Sequence, residues 1–406
     1  MKNKLNGQSV KNLIIRNAHI VDPANKIDEV MDLHVKSHRI VKWGKDLTAE
    51  EAEFLDARKL HLLPGLIDMH VHFREPGFEH KETIETGAQA AIAGGFVACV
   101  TMPNTKPACD NAQVVKYQME RANVLNFNIF PAGTLTQGRE GKKISEMAEM
   151  KAAGAVAVTD DGGWVVDSGV ARRAYEYAAT YGLPIMSHAE DHSISVNGVM
   201  NEGVVSSKLG LRGSPNAAED IATARDIELV RLIKCQLHFQ HVSTRGAVAM
   251  IRRAKAEGLP ITAEATPHHI ALTDEEFVKY DTFYKMSPPL RTEKDRQAIM
   301  AGLEDGTIGL ESAFGVIMTE LFHGRKWKLE EIVRKMSLTP AEILKKSNFG
   351  RLKTGEQANF ILVDVGKDWV FQEDDVHSKS LNSCFYGKKL KGKVLHTFVK
   401  GYQYAL

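Results

Sequence analysis

The densest group of reactive side chains in this 406-residue chain is Asp68-Met69-His70-Val71-His72-Phe73-Arg74. On a strand, side chains two apart point to the same side, so His70 and His72 can both reach one ion above the strand end. Period-two polarity is also how a solvated strand face reads, and that reading stands beside the metal one. Further along, Asp160-Asp161-Gly162-Gly163, His188 in MSHAED and His241 in FQHVST each close a short apolar run. Singly, the Asp-Asp-Gly-Gly stretch reads as a turn, and each histidine as a hydrogen-bonded core residue. Together, four imidazoles and a carboxylate suit Zn²⁺, or Mn²⁺ or Co²⁺. Five donors exceed what one four-coordinate site with an open position needs, which points to two ions sharing the carboxylate. Such a centre brings the pKa of bound water to near ~7 and polarises a carbonyl oxygen, so hydrolysis of an amide-like bond is its natural use. Arg74, on the same side as His72, can grip a substrate carboxylate with its planar fork. It can equally form a surface salt bridge with Glu75, Glu79 or Glu82. Asn104, just after the next apolar run, can add a hydrogen bond.

These residues converge only if the elements carrying them are level. Short apolar runs at 65–72, 96–102, 128–132, 155–159, 184–188, 236–241 and 260–264 read as strands. Between them, 83–93, 111–123, 145–153, 169–181, 220–234 and 245–257 read as helices. Strands alternating with helices imply βαβ units and a parallel sheet. In a parallel barrel every strand's C-terminal end opens on one face. Gly182-Leu183-Pro184-Ile185 is echoed by Gly258-Leu259-Pro260-Ile261. In each, a glycine ends a helix and proline stops it before a strand that finishes on His188 or Glu264. An eighth strand is expected near 307–312 (TIGLES), but that stretch is short, glycine-interrupted and has no polar tip. His268-His269, after Thr266-Pro267, reads as a pocket-shaping loop without a metal role. The first ~60 residues and those after about 350 return to short strands, so both ends fold together as one small β domain.

Composition narrows the function classes. Lys+Arg 52 against Asp+Glu 51 leaves a formal charge of +1, which argues against a nucleic-acid or membrane-surface binder. Hydrophobic residues at 43% and charged residues at 25% exclude wholesale disorder. No apolar stretch approaches the ~18–20 residues that span a bilayer. The opening MKNKLNGQSVKNLII does not read as a secretory signal. Four cysteines in a chain of this size make no disulfide scaffold, and a reducing, cytoplasmic setting is expected. No Walker loop, dinucleotide fingerprint, CxxC pair or G-x-S-x-G elbow is present.

The segments PGLIDMHVHFREPGFEHKETIETG, TMPNTKPACDN, TDDGG, SHAED, HVSTRGAV, ITAEATPHHIALTDE, MSPPLRTEKDR and SLNSCFYGKKLKGKV resemble class I dihydroorotases of the amidohydrolase superfamily. The resemblance runs from about Leu62 to Val399. It implies an α/β fold: a (β/α)₈ TIM-type barrel at 65–349 with a small β-sandwich domain built from 1–64 and 350–406. It implies zinc, one or two ions per chain, and reversible cyclisation of N-carbamoyl-L-aspartate to L-dihydroorotate. It assigns His70, His72 and Asp161 to one metal. It assigns His188 and His241 to a second, with Asp161 bridging, and Asp161 is chosen over Asp160 on the family's spacing to His188. It gives Arg74 and Asn104 to the substrate carboxylate. A cytoplasmic homo-oligomer acting on a small molecule is expected, with aspartate carbamoyltransferase as a candidate partner.

Related hydantoinases and dihydropyrimidinases use a carboxylated lysine where Asp161 stands, and the nearest candidate, Lys151, falls in the preceding helix. Those lysine-using relatives therefore fit less well, and a sibling activity, allantoinase or hydantoinase, stands as the near alternative. Two departures from the family matter. Ser287 in MSPPLR stands where the family carries a ring-contacting asparagine. Asp305-Gly306-Thr307-Ile308 joins Gly309-Leu310-Glu311-Ser312 directly, where the family has a DHAPH-type segment with its catalytic aspartate, a substrate-binding histidine and a loop. The join implies either a segment missing between Ile308 and Gly309 or a catalytically inactive scaffold for aspartate carbamoyltransferase.

Overall fold

The computed structural model describes residues 4–277, 280–303, 306–307 (backbone only) and 310–406. Its centre is an all-parallel eight-stranded sheet whose strands follow chain order. They are β1 Leu66–Val71, β2 Phe96–Thr101, β3 Asn128–Gly133, β4 Ala157–Val158, β5 Ile185–Ser187, β6 Leu237–Phe239, β7 Ile261–Ala265 and β8 Gly306–Thr307. Every residue of β1 and β2 is buried, as expected of strands covered on both faces. The helices that cover them are α1 Ile84–Ala93, α2 Ala112–Val124, α3 Met147–Ala153, α4 Ser168–Thr180, α5 Asn216–Ile233 and α6 Arg245–Ala256, with α7 Glu293–Gly302 between β7 and β8. The α/β barrel topology expected from the alternation is therefore present.

Local chemistry explains the boundaries. The Thr83 side chain accepts from Thr86 N to start α1, and Asn111 and Thr244 start α2 and α6 in the same way. The buried positions Ile84, Ala88, Ala91 and Ile92 of α1 recur at helical spacing and meet Phe96 and Val97 in one apolar core. The two GLPI echoes behave alike. Gly182 and Gly258 have φ of +62° and +78°, the left-handed region open to glycine, and β5 and β7 follow each.

Register then levels the strand ends. Ile185, Leu237 and Ile261 stand side by side, as do Ser187, Phe239 and Ala263. His188, His241 and Glu264 therefore reach one rim. Between Asp68 and Val71 the β1–β2 register shifts, and this irregularity re-aims the strand at His70.

Both chain ends build a second, nine-stranded sheet. Phe360–Val370 pairs antiparallel with His61–Pro64, which runs directly into β1. The C-terminal half is thus stitched to the strand that opens the barrel. Phe360–Val370 is one long strand, bent by register shifts.

Three features differ from expectation. A two-stranded ladder, Met200–Asn201 with Gly213–Ser214, is inserted between β5 and α5. It is held by the buried Arg291, which donates to Asn201 Oδ1 at 3.1 Å and to Ser214 O at 2.7 Å, a long-range tie that no local pattern encodes. His268 and His269 sit on a short helix, Pro267–Ala271, rather than in a loop, because the Thr266 side chain caps it. The eighth strand lies at Gly306–Thr307, pairing with Glu264 and Ala265, at the start of the expected stretch. The expected join at Ile308–Gly309 lies outside the described residues. Among the described residues no helix is long and apolar enough to cross a membrane.

Nothing lies within 4 Å of a methyl group built on Gly258, so only its backbone conformation resists substitution. Gly258→Ala is expected to cost about 1–2 kcal/mol in denaturant unfolding while leaving metal content unchanged.

Candidate metal centre

Five side chains from four strand ends meet above the barrel. His70 is on β1 and His72 just past it. Asp161 follows β4, His188 follows β5 and His241 follows β6. His70 Nε2 lies 3.2 Å from His72 Nε2 and 3.1 Å from Asp161 Oδ1. His72 Nε2 is 3.5 Å from Asp161 Oδ2. On the other side, His188 Nδ1 lies 2.9 Å from His241 Nε2 and 3.6 Å from Asp161 Oδ1. Two overlapping triads result, His70–His72–Asp161 and Asp161–His188–His241, sharing one carboxylate.

The donor set fits a divalent ion. Asp161 Oδ1 is buried and accepts no hydrogen bond, despite imidazole nitrogens nearby. Two nitrogens bound tetrahedrally at ~2.0–2.1 Å sit roughly 3.3 Å apart, close to the His70–His72 separation. The set contains nitrogen and oxygen only, which suits zinc, manganese or cobalt. His241 carries a φ of +33° and Arg74 one of +60°, backbone strain of the kind concentrated at functional sites.

The adjacent aspartates separate cleanly. Asp160 Oδ1 accepts from Leu135 N at 2.9 Å and Thr136 N at 3.0 Å, and Oδ2 accepts from the Thr136 hydroxyl. It pins the loop after β3 and is turned away from the histidines. Asp161 is free to face them, with its own N–H donating to Thr159 Oγ1.

A second layer fixes three of the four imidazoles. His70 Nδ1 donates to Glu264 Oε1 at 3.1 Å, and Glu264 Oε2 accepts from His238 Nε2 at 3.0 Å. His72 Nδ1 donates to Asn104 Oδ1 at 3.0 Å, and His188 Nε2 to Glu190 Oε2 at 3.3 Å. Each contact occupies the nitrogen away from Asp161 and leaves the other aimed at the centre. Sequence reasoning assigned no role to Glu264 or Glu190. The signal for Glu264 was its place in the GLPI echo, matching His188.

Electrostatics follow from this burial. Burial opposes a charge on His70, but Asp161 and Glu264 outweigh it and hold its pKa at about 10. His188 is likewise desolvated, yet Asp161 and Glu190 hold it at about 9. His72 falls to about 4, since burial and the charges of His70 and Arg74 outweigh Asp161. Desolvation also opposes the Asp161 carboxylate, but His70, His72 and His188 keep its pKa well below the usual range.

Arg74 is half-buried and lines a cavity of about 710 Å³ together with His70 and His72. Its three possible salt-bridge partners are engaged elsewhere. Glu75 takes Tyr117 Oη at 2.7 Å and Arg121 Nε at 3.0 Å. Glu79 accepts from Gly77 N, and Glu82 from Thr83 N. Among the described residues no carboxylate pairs with the Arg74 guanidinium. Asn104 is buried, its Oδ1 on His72 and its Nδ2 3.3 Å from Asp161 Oδ2. Ser287 is exposed and does not line this cavity.

Residues 59–247 match the family described as Dihydro-orotase-like. A dihydroorotase from Geotalea daltonii is 41% identical, over 96% of this chain and 98% of that protein. One from Geobacter metallireducens is 43% identical over the same shares. The chain belongs to the dihydroorotase family. Among solved structures, the L-hydantoinase (dihydropyrimidinase) of Arthrobacter aurescens superimposes with a TM-score of 0.85 at 21% identity, covering 97% of this chain and 96% of that one. The dihydropyrimidinase of Brevibacillus agri gives 0.84 at 20% identity, covering 97% of this chain and 94% of that one. These two establish the fold alone. This dihydroorotase-family chain is a cyclic amidohydrolase by kinship, and its histidine–aspartate clusters fit the divalent metal of that superfamily. The alignment to the Geotalea protein runs over 419 positions while using 96% of a 406-residue chain, so that dihydroorotase has residues where this chain has none.

Two outcomes are expected. Asp161→Ala abolishes metal retention in elemental analysis. Asp160→Ala keeps the metal but loses about 2 kcal/mol or more in denaturant unfolding, because buried N–H groups lose their acceptor. Metal must also displace the protons that Asp161, Glu264 and Glu190 hold on His70 and His188. Those protons are bound below about pH 9 and leave as pH rises. Apparent zinc affinity in chelator competition is therefore expected to increase from pH 6 to 8, by roughly tenfold or more per unit.

Proposed function

We propose that this chain is a class I dihydroorotase, interconverting N-carbamoyl-L-aspartate and L-dihydroorotate in pyrimidine synthesis. Its cofactor is one or two zinc ions, held by His70, His72, Asp161, His188 and His241. The observation that carries the reading is one buried carboxylate, Asp161, between two histidine pairs and near the Arg74 guanidinium, which pairs with no carboxylate among the described residues. When bound, the metal makes water more acidic and draws electron density from a carbonyl. In the hydrolytic direction the ring amide C–N bond breaks. The water oxygen joins the carbonyl carbon and a proton passes to the ring nitrogen. Arg74 anchors the substrate carboxylate, and Asn104 adds a hydrogen bond while steadying His72. Asp161 orients both halves of the centre.

Of the near alternatives, allantoinase and hydantoinase, the second is disfavoured, like the related dihydropyrimidinases, by the residue after β4. Lys151, the candidate for carboxylation, is exposed on α3 and donates to Tyr181 O, away from the centre. The four cysteines are all buried and unpaired, which suits a cytoplasmic setting. Residues 1–64 and 350–406 are taken as two parts of one β domain around a barrel at 65–349, and a homo-oligomer is the expected assembly.

A second reading is favoured by the residues this chain lacks relative to its relatives. Without the eighth-strand aspartate of the family, the reaction loses a general acid/base worth ~10²–10⁴-fold. The chain would then serve as a scaffold for aspartate carbamoyltransferase. An intact mass of 45.0 kDa makes the join at Ile308–Gly309 a property of the chain. Co-purification with the transferase, without metal or turnover, then selects the scaffold.

The primary test compares turnover of L-dihydroorotate, allantoin and hydantoin by metal-loaded protein. Turnover of dihydroorotate alone is expected, and activity on allantoin with none on dihydroorotate overturns the assignment. Arg74→Lys, which keeps charge but loses the fork, is expected to raise KM about tenfold, and Arg74→Met about a hundredfold, with metal content unchanged.

A further inference from the structure

Two of the walls of the cavity above the metal centre come from opposite ends of the chain. One is the end of β1, with His70, His72 and Arg74; the other is segment 378–382, from the opposite end of the chain. This second wall has no helix or strand of its own. Two carboxylates hold it. Glu82, buried at the start of α1, accepts the Ser378 hydroxyl and Lys379 N at 3.2 Å, across 296 positions of sequence in the Ser378 contact. Glu311 accepts His377 N and Ser378 N, each at 3.0 Å. Bonds from N–H groups to a carboxylate are among the stronger neutral-to-ion contacts, and four donors on two carboxylates fix an otherwise irregular strap. Tyr386 Oη adds a bond to Leu381 O at 2.7 Å.

Past the clamp, Asn382 is exposed and lines the same cavity as the metal-facing residues. Among the described residues its amide has no hydrogen-bond partner. A primary amide presents one acceptor and two donors. A ureide edge, N–H beside C=O, is its complement, and both substrate forms under the reading above carry one. Ser287 is exposed and outside the cavity lining, so it does not supply this contact.

We propose that segment 378–382 is a substrate-contacting wall of the cleft, clamped by Glu82 and Glu311, and that Asn382 offers its amide to the ureide edge of the substrate. This inference rests on the dihydroorotase reading. Glu82 and Glu311 act as positioning residues, because they reach the substrate only through the strap.

The test is calorimetric binding to the metal-loaded full chain with two probes. L-dihydroorotate carries a ureide; L-malate carries carboxylates but no ureide. Asn382→Ala is expected to weaken dihydroorotate binding about fivefold to tenfold and to leave malate binding and metal content unchanged. Glu82→Gln, which removes acceptor capacity from the clamp, is expected to weaken dihydroorotate in the same direction. It should also speed amide exchange at 378–379. Equal dihydroorotate binding by wild type and Asn382→Ala overturns this inference alone. So does equal weakening of both probes, which marks a general disturbance of the cleft. If wild type binds malate but not dihydroorotate, the dihydroorotase reading falls and takes this inference with it.

Discussion

A carboxylate stripped of water is costly to hold ionised unless positive charge or a metal stands beside it. Asp161 is in that position, buried at the centre of four imidazoles with one oxygen accepting no hydrogen bond. Protons on His70 and His188 and a divalent ion are alternative ways of meeting the same demand. The surrounding structure serves this one constraint. Asp160 anchors the loop so that Asp161 can turn inward. Glu264 holds the ring of His70 and ties it to His238, while its third contact, 3.4 Å from His241 N, steadies the backbone at a further candidate ligand.

The fold meets the constraint through register rather than proximity in sequence. The candidate ligands span positions 70 to 241, yet parallel strands whose partners run in step bring their ends to one level. Helices with apolar residues at helical spacing cover the outside, and the candidate ligands gather at the strand tips. The terminal sheet adds two things. Its strand His61–Pro64 feeds β1 and fixes where His70 and His72 emerge. Its C-terminal side sends a strap over the same mouth, so the cleft is built from both halves of the chain.

Much of this was legible in the residues. Period-two histidines, the alternation of short apolar runs with helix-period segments, and glycine-proline stops before β5 and β7 are local signals, and they lead to near-correct elements. The choice between Asp160 and Asp161 was not local. It depends on two backbone N–H groups after β3 that only the folded chain brings to Asp160. The freedom of Arg74 was equally hidden, since it rests on Glu75 being taken by Tyr117 and Arg121 of α2. The ladder held by Arg291 and the strap held by Glu82 join residues too far apart in sequence for any periodicity to signal. The eighth strand resisted reading because a two-residue strand has no pattern, and its position is defined only by pairing with Glu264 and Ala265.

The central claim is that these side chains share metal ions across Asp161. Anomalous diffraction at the zinc edge from crystals of the purified chain tests it most directly. The account predicts one or two peaks within bonding distance of Asp161, flanked by His70 and His72 on one side and by His188 and His241 on the other. A fully ordered Asp161 with no anomalous density beside it, in protein supplied with zinc, would contradict the account.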